Sequence, residues 1–158
     1  MAELSFYRLV KQRYAATAFD GYGARIYGGR WNSPGKSCVY LGSTKALCVL
    51  ENLVHLELED IAQGYCMLRI RVPEELVSSL DGNALPDDWQ TDPAPHSTQR
   101  IGDEWLSNPA NGLVLQVPST ITGEWNALLN ITHPAAALAL NSVTIESFFI
   151  DPRLVRQG

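Results

Sequence analysis

Glu51 is the residue of this 158-residue sequence that most needs a chemical reason. It stands among Leu47, Val49, Leu50, Leu53 and Val54, and a carboxylate in such company is costly unless it faces a cleft or a partner. On a helix it shares a face with Leu47, Val54, His55 and Leu58 through i±4 and i+3 spacing. Pattern alone leaves a structural ion pair and a catalytic role equal. Arg30 lies between paired glycines and an indole in Gly28-Gly29-Arg30-Trp31-Asn32-Ser33-Pro34-Gly35. Its planar fork suits a carboxylate or phosphate, or it braces its own loop. Tyr40, in a short apolar run, is either a core residue or an aromatic platform.

Other chemistries are set aside. Ser119 and His133 could pair as nucleophile and base, but Ser119 is outside a Gly-x-Ser-x-Gly elbow and no Asp is placed as orienter. Gly21-Tyr22-Gly23-Ala24-Arg25-Ile26 begins like a dinucleotide fingerprint, yet it ends in Ile and lacks a βαβ setting. His55, His96 and His133 have no metal-ligand spacing, so no metal site is expected. Cys38, Cys48 and Cys66 are an odd number without a CxxC pair, and Cys48 and Cys66, in apolar surroundings, read as buried free thiols.

The elements that must hold these residues follow from periodicity. Ser5 to Val10 is expected as a strand, with Phe6 and Arg8 on one face and Tyr7 and Leu9 on the other. Ala15 to Gly35, rich in Gly and aromatics, reads as a long ordered functional loop. Ser37 to Gly42 is a second strand. Ser43 then caps a helix over Thr44 to Glu59. Tyr65 to Val72 alternates, placing Cys66, Leu68, Ile70 and Val72 inward and Met67, Arg69 and Arg71 on the other face. Asp81 to Pro95 is a polar surface loop, and Ser97 to Leu106 a short helix. Leu113 to Val117 is a buried strand, Glu124 to Ile131 is irregular or strand-like, and Val143 to Ile150 is a last strand. Strands and helices mix without a βαβ repeat, so the expected class is α+β: one domain over residues 1–158, a mixed sheet with flanking helices.

Composition bounds the function. Hydrophobic residues make up 46% and charged residues 18%, which excludes a disordered chain. The net charge of −5 argues against a nucleic-acid-binding surface, which needs clustered cations. No stretch approaches the ~20 apolar residues of a membrane span. Met1-Ala2-Glu3-Leu4-Ser5 lacks the basic-then-apolar pattern of a secretory leader, so a cytoplasmic location is expected.

Together, several segments resemble the RES-domain family, named for its Arg, Glu and Ser positions. They are Phe6-Tyr7-Arg8-Leu9, Gly29-Arg30-Trp31-Asn32-x-x-Gly35, Val39-Tyr40-Leu41 with Ala46 and Leu50-Glu51, and Val117-Pro118-Ser119. Glu124-x-Asn126-x-Leu128-Leu129-Asn130, His133-Pro134 and Asp151-Pro152-Arg153-Leu154 complete the match. Where the family often has Asp after His-Pro, this chain has Ala135. The resemblance implies an ADP-ribosyltransferase-like fold and a toxin of a bacterial toxin–antitoxin pair. It implies cleavage of nicotinamide from NAD+, which is substrate rather than resident cofactor, or transfer of ADP-ribose to a protein. A protein-binding module without activity is the alternative of another class. The implied partner is an Xre-like DNA-binding antitoxin that blocks the active site, and a homodimer within that complex is compatible with the resemblance. The catalytic residues would be Glu51, Arg30 and Tyr40, and NAD+ would be bound by Arg8, Arg30, Tyr40 and Ser119.

Overall fold

The computed structural model describes residues 2–155. Seven strands form one sheet in the order β4-β5-β6-β2-β1-β3-β7. They are β1 (Glu3–Lys11), β2 (Val39–Gly42), β3 (Tyr65–Pro73), β4 (Val77–Ser79), β5 (Val114–Pro118), β6 (Trp125–Leu129) and β7 (Thr144–Phe148). All neighbouring pairs are antiparallel except β4 with β5, so the sheet is mixed and the class is α+β, as expected. The helices are α1 (Tyr22–Tyr27), α2 (Lys45–Leu53), α3 (Leu58–Ile61), α4 (His96–Ser107) and α5 (Ala136–Leu140).

Alternation along the strands sends side chains to both faces. Phe6, Ile70, Val72, Ala127 and Leu129 pack with Ala136 and Ala139 of α5. On the opposite face Leu9 and Met67 pack with Cys48 and Val49 of α2. A third cluster joins Trp31, Cys38, Leu115 and Leu128 to Ile101, Trp105 and Leu106 of α4. Met67 lies on the face of β3 opposite Cys66, Leu68, Ile70 and Val72, as expected, but that face is covered there too. It is 1% exposed because α2 and its neighbours roof that end of β3, while Arg69 and Arg71, beyond the roof, are exposed.

The long helix expected over Thr44 to Glu59 is two helices. Thr44, not Ser43, is the N-cap, and its hydroxyl accepts the Leu47 N–H at 3.0 Å. The chain leaves α2 at Val54 and begins α3 with a reciprocal capping box between Glu57 and Asp60. His55 and Leu58 therefore do not continue the face that carries Glu51. The stretch from Ala15 to Gly35 is ordered but not a pure loop, because it contains α1 and the second half of a 3₁₀ turn over Gln12–Thr17. Strand β4, unannounced by the sequence pattern, adds a three-residue parallel edge. Among the described residues, no helix is long and apolar enough to cross a membrane.

Candidate active site

The short turn from β2 into α2 brings Tyr40 and Glu51 to one cleft of about 430 Å³. Gly42 lets the helix come this close to the sheet, since a Cβ there would stand 2.9 Å from Cys48 Sγ. Arg8, Asp20, Arg30, Tyr40, Glu51 and Asn126 all line the cleft.

Glu51 is held by one oxygen. Its Oε1 accepts the Ser119 hydroxyl at 2.6 Å and the Asn126 amide Nδ2 at 2.7 Å. Both bonds fall on Oε1, so Oε2 carries the carboxylate's uncommitted acceptor capacity. Ser119 is itself fixed, because its Oγ accepts the N–H groups of Ile121 and Thr122 in the turn after β5.

Arg8 projects from β1 beneath Tyr40. Its Nη1 donates to the Tyr40 carbonyl at 2.9 Å, while Nε is buried without an acceptor among the described residues. Burial lowers the pKa of this guanidinium, and Cys48, Cys38 and Asp20 oppose that shift. An unmet buried donor costs about 1–3 kcal/mol, which a bound anion could offset. The Tyr40 hydroxyl is fully engaged. It donates to Asn32 Oδ1 at 2.6 Å and accepts the Trp31 N–H at 3.0 Å. Burial holds its pKa well above the usual phenol range, so Tyr40 offers the cleft a ring, not a proton-transfer group.

Arg30 has a second attachment. Its Nη1 donates to the carbonyls of Trp89 at 2.9 Å and Thr91 at 2.8 Å. The guanidinium thus braces the loop before α4 while lining the cleft. Asn32, 0% exposed, closes the turn by donating to Ala24 at 2.8 Å and to Lys36 at 3.0 Å. Helix α4 clamps the turn from outside. Thr98 Oγ1 donates to the Arg30 carbonyl at 2.6 Å, Gln99 to the Gly29 carbonyl at 3.1 Å, and Asp103 accepts the Ser33 N–H at 3.0 Å and its hydroxyl. Gly102 seats the helix on the turn, because an added Cβ would fall 1.6 Å from the Trp31 carbonyl oxygen.

The two thiols near the site are inert acids. Burial pushes Cys38 up to about 12 and Cys48 up to about 11, and Cys48 donates to the Tyr7 carbonyl at 3.2 Å. Among the described residues, no group of three or more His, Cys, Asp or Glu side chains could hold a metal ion.

Four of the five expected site residues, Arg8, Arg30, Tyr40 and Glu51, line the cleft. Ser119 does not. It is 1% exposed, outside the cleft lining, and its hydroxyl donates to Glu51. The sequence reading assigned no role to Asn126 or Asn32, although both belong to the segments quoted above.

The RES domain family matches residues 5–151, which includes every residue of this site. The chain belongs to the RES domain family. Its RES relatives include "Toxin Res" of Yersinia enterocolitica (serotype O:8 / biotype 1B), 40% identical over 152 residues, covering 96% of this chain and 99% of that protein. The "Prs ADP-ribosylating toxin" of Sphingobium sp. (strain YBL2) is 35% identical over 161 residues, covering 98% of each chain. The RES fold is also that of a chain in the crystal structure of the M. tuberculosis MbcT–MbcA toxin–antitoxin complex. The TM-score is 0.72 at 17% identity, over 97% of this chain and 87% of that one. The chain is a toxin of the RES type.

Proposed function

We propose that this toxin consumes NAD+ by breaking the bond between nicotinamide and ribose. The observation that carries the reading is the Glu51 carboxylate, anchored through Oε1 by Ser119 and Asn126 at a cleft that also presents two arginines. Loss of nicotinamide leaves an oxocarbenium-like ribose, and a fixed negative charge beside it stabilises that cation. Arg8 takes the pyrophosphate, and Arg30 adds its remaining donors to the same charge. The Tyr40 ring supports the flat cationic nicotinamide before cleavage. Ser119 orients Glu51. In the cell the partner is an antitoxin with an Xre-like DNA-binding domain that covers this cleft; the structural neighbour, solved as a toxin–antitoxin complex, supports an antitoxin partner.

The name of the Sphingobium relative favours a second reading, in which ADP-ribose is transferred to a protein. One experiment tests both. The purified protein is incubated with NAD+ labelled in its adenylate half, with and without cell extract. Released nicotinamide with soluble labelled ADP-ribose or its phosphate supports consumption, and labelled protein supports transfer. Folded protein that releases no nicotinamide under either condition defeats both readings.

A further inference from the structure

We infer that Asn126 is the positioning residue that sets the direction of the Glu51 carboxylate; the inference rests on the proposed NAD+ cleavage. Asn126 is fixed by its backbone, standing opposite Gly42 in β2 and opposite Val117 in β5. It shares a face of β6 with Leu128, away from Ala127 and Leu129 in the α5 core. Gly42 opposite it has no side chain and lets α2 pack close to the sheet. Across that close approach Nδ2 reaches Glu51 Oε1 at 2.7 Å.

The chemistry depends on having two donors. A carboxylate gripped by one hydrogen bond can still rotate about its last torsion. Here two donors from different segments converge on one oxygen: Ser119 from the turn after β5 and Asn126 from β6. Together they fix the plane of the group and aim Oε2. Ser119 is inside the protein wall, whereas Asn126 also lines the cleft, so the amide is the donor that bound substrate can press against. Loss of Asn126 leaves the negative charge in place but lets it wander, and a misplacement of about 1 Å can cost ~10²-fold in rate.

Aspartate at 126 makes the test specific. It keeps the size of Asn but sets a second carboxyl against Glu51, and like charges so close raise one of the two pKa values. With one proton the pair donates across the same gap and carries one negative charge, as the wild type does. As pH rises through the raised value, that proton is lost and the two carboxylates repel. The other charged or titratable groups that line the same cleft are Tyr7 and Arg8 from β1, Asp20, Tyr22 from α1, Arg30, Cys38, Tyr40 from β2 and Cys48 from α2. All remain unchanged in the variant.

Nicotinamide release by wild type, Asn126→Ala and Asn126→Asp is measured against pH, with melting temperatures on the same preparations. Asn126→Ala is expected to lose ~10- to 100-fold in kcat, with KM for NAD+ nearly unchanged. Asn126→Asp should recover activity on the acid side and lose it with rising pH, along a limb the wild type lacks. A folded Asn126→Asp whose profile parallels the wild type at any level, or an Asn126→Ala with wild-type kcat, overturns the assignment. A wild type that releases no nicotinamide instead defeats the functional reading and this inference with it.

Discussion

The two walls of the cleft are built by different means. The sheet wall takes Arg8, Tyr40 and Asn126 from β1, β2 and β6, whose spacing is set by backbone ladders. The turn wall, from Gly28 to Lys36, has only one isolated bridge, between Gly29 and Asn32. Backbone bonds from Gly28 to Ala24, Gly35 to Arg25 and Lys36 to Ser33 add to that bridge, and side chains supply the other ties: Asn32 from within, and Thr98, Gln99 and Asp103 from α4. A ladder distributes its strain over many bonds, whereas a side-chain clamp concentrates it in a few. The sheet wall should therefore respond to mutation in rate, and the turn wall in stability and rate together.

Glu51→Gln separates the walls most sharply. The amide keeps the shape but removes the charge, so turnover should fall ~10²–10³-fold with little change in melting temperature. Unaltered turnover with a lowered melting temperature would return Glu51 to a bracing role. Asn32→Ala should act the other way. It removes the acceptor of the Tyr40 hydroxyl and the side-chain donor to the Lys36 carbonyl, while the Ala24 carbonyl keeps only the Gly28 N–H, at about 2–4 kcal/mol by denaturant titration. A stable Asn32→Ala with normal turnover would show that α4 alone holds the turn.

Arg30→Lys should be milder. An ammonium carries the charge but cannot both span two loop carbonyls and present a fork to phosphate. A fall in kcat/KM of about tenfold is expected, together with a small loss of stability; a change in stability alone would leave Arg30 as a brace. The smallest effect should come from the thiols. In the folded state Cys38 ionises near 12 and Cys48 near 11, against ordinary values of 9.0. Between pH 9 and those values the unfolded chain has lost protons that the folded chain retains. Stability must then fall as pH rises through that window. Cys38→Ser should flatten the decline in melting temperature measured from pH 9 to 11, and a variant that tracks the wild type would place the cause elsewhere.

Period and composition sufficed for most strands, because alternation such as Cys66, Leu68, Ile70, Val72 reflects burial directly. They misplaced the end of α2, where Glu57 and Asp60 restart the chain with a local capping box that apolar spacing does not register. For the site, Glu51 announced itself as a charge among apolar neighbours. Asn126 did not, since an amide between Trp125 and Ala127 offends no pattern and its bond crosses 75 positions of sequence. Ser119 was visible as a candidate, but its role was not. Whether a hydroxyl meets a ligand or another side chain is decided by tertiary packing, here across 68 positions.

The order in which these partners are synthesised governs when the site can be complete. Arg8, Arg30, Tyr40 and Glu51 emerge from the ribosome early, yet β2 acquires β6 as its neighbour only after residue 126 has followed. Until then Glu51 lacks Asn126, and before residue 119 it lacks Ser119 as well, while the central strand of the half-made sheet has one open edge. A nascent chain thus carries an incomplete site for most of its translation, which under the proposed function leaves an interval for an antitoxin to bind before the site closes.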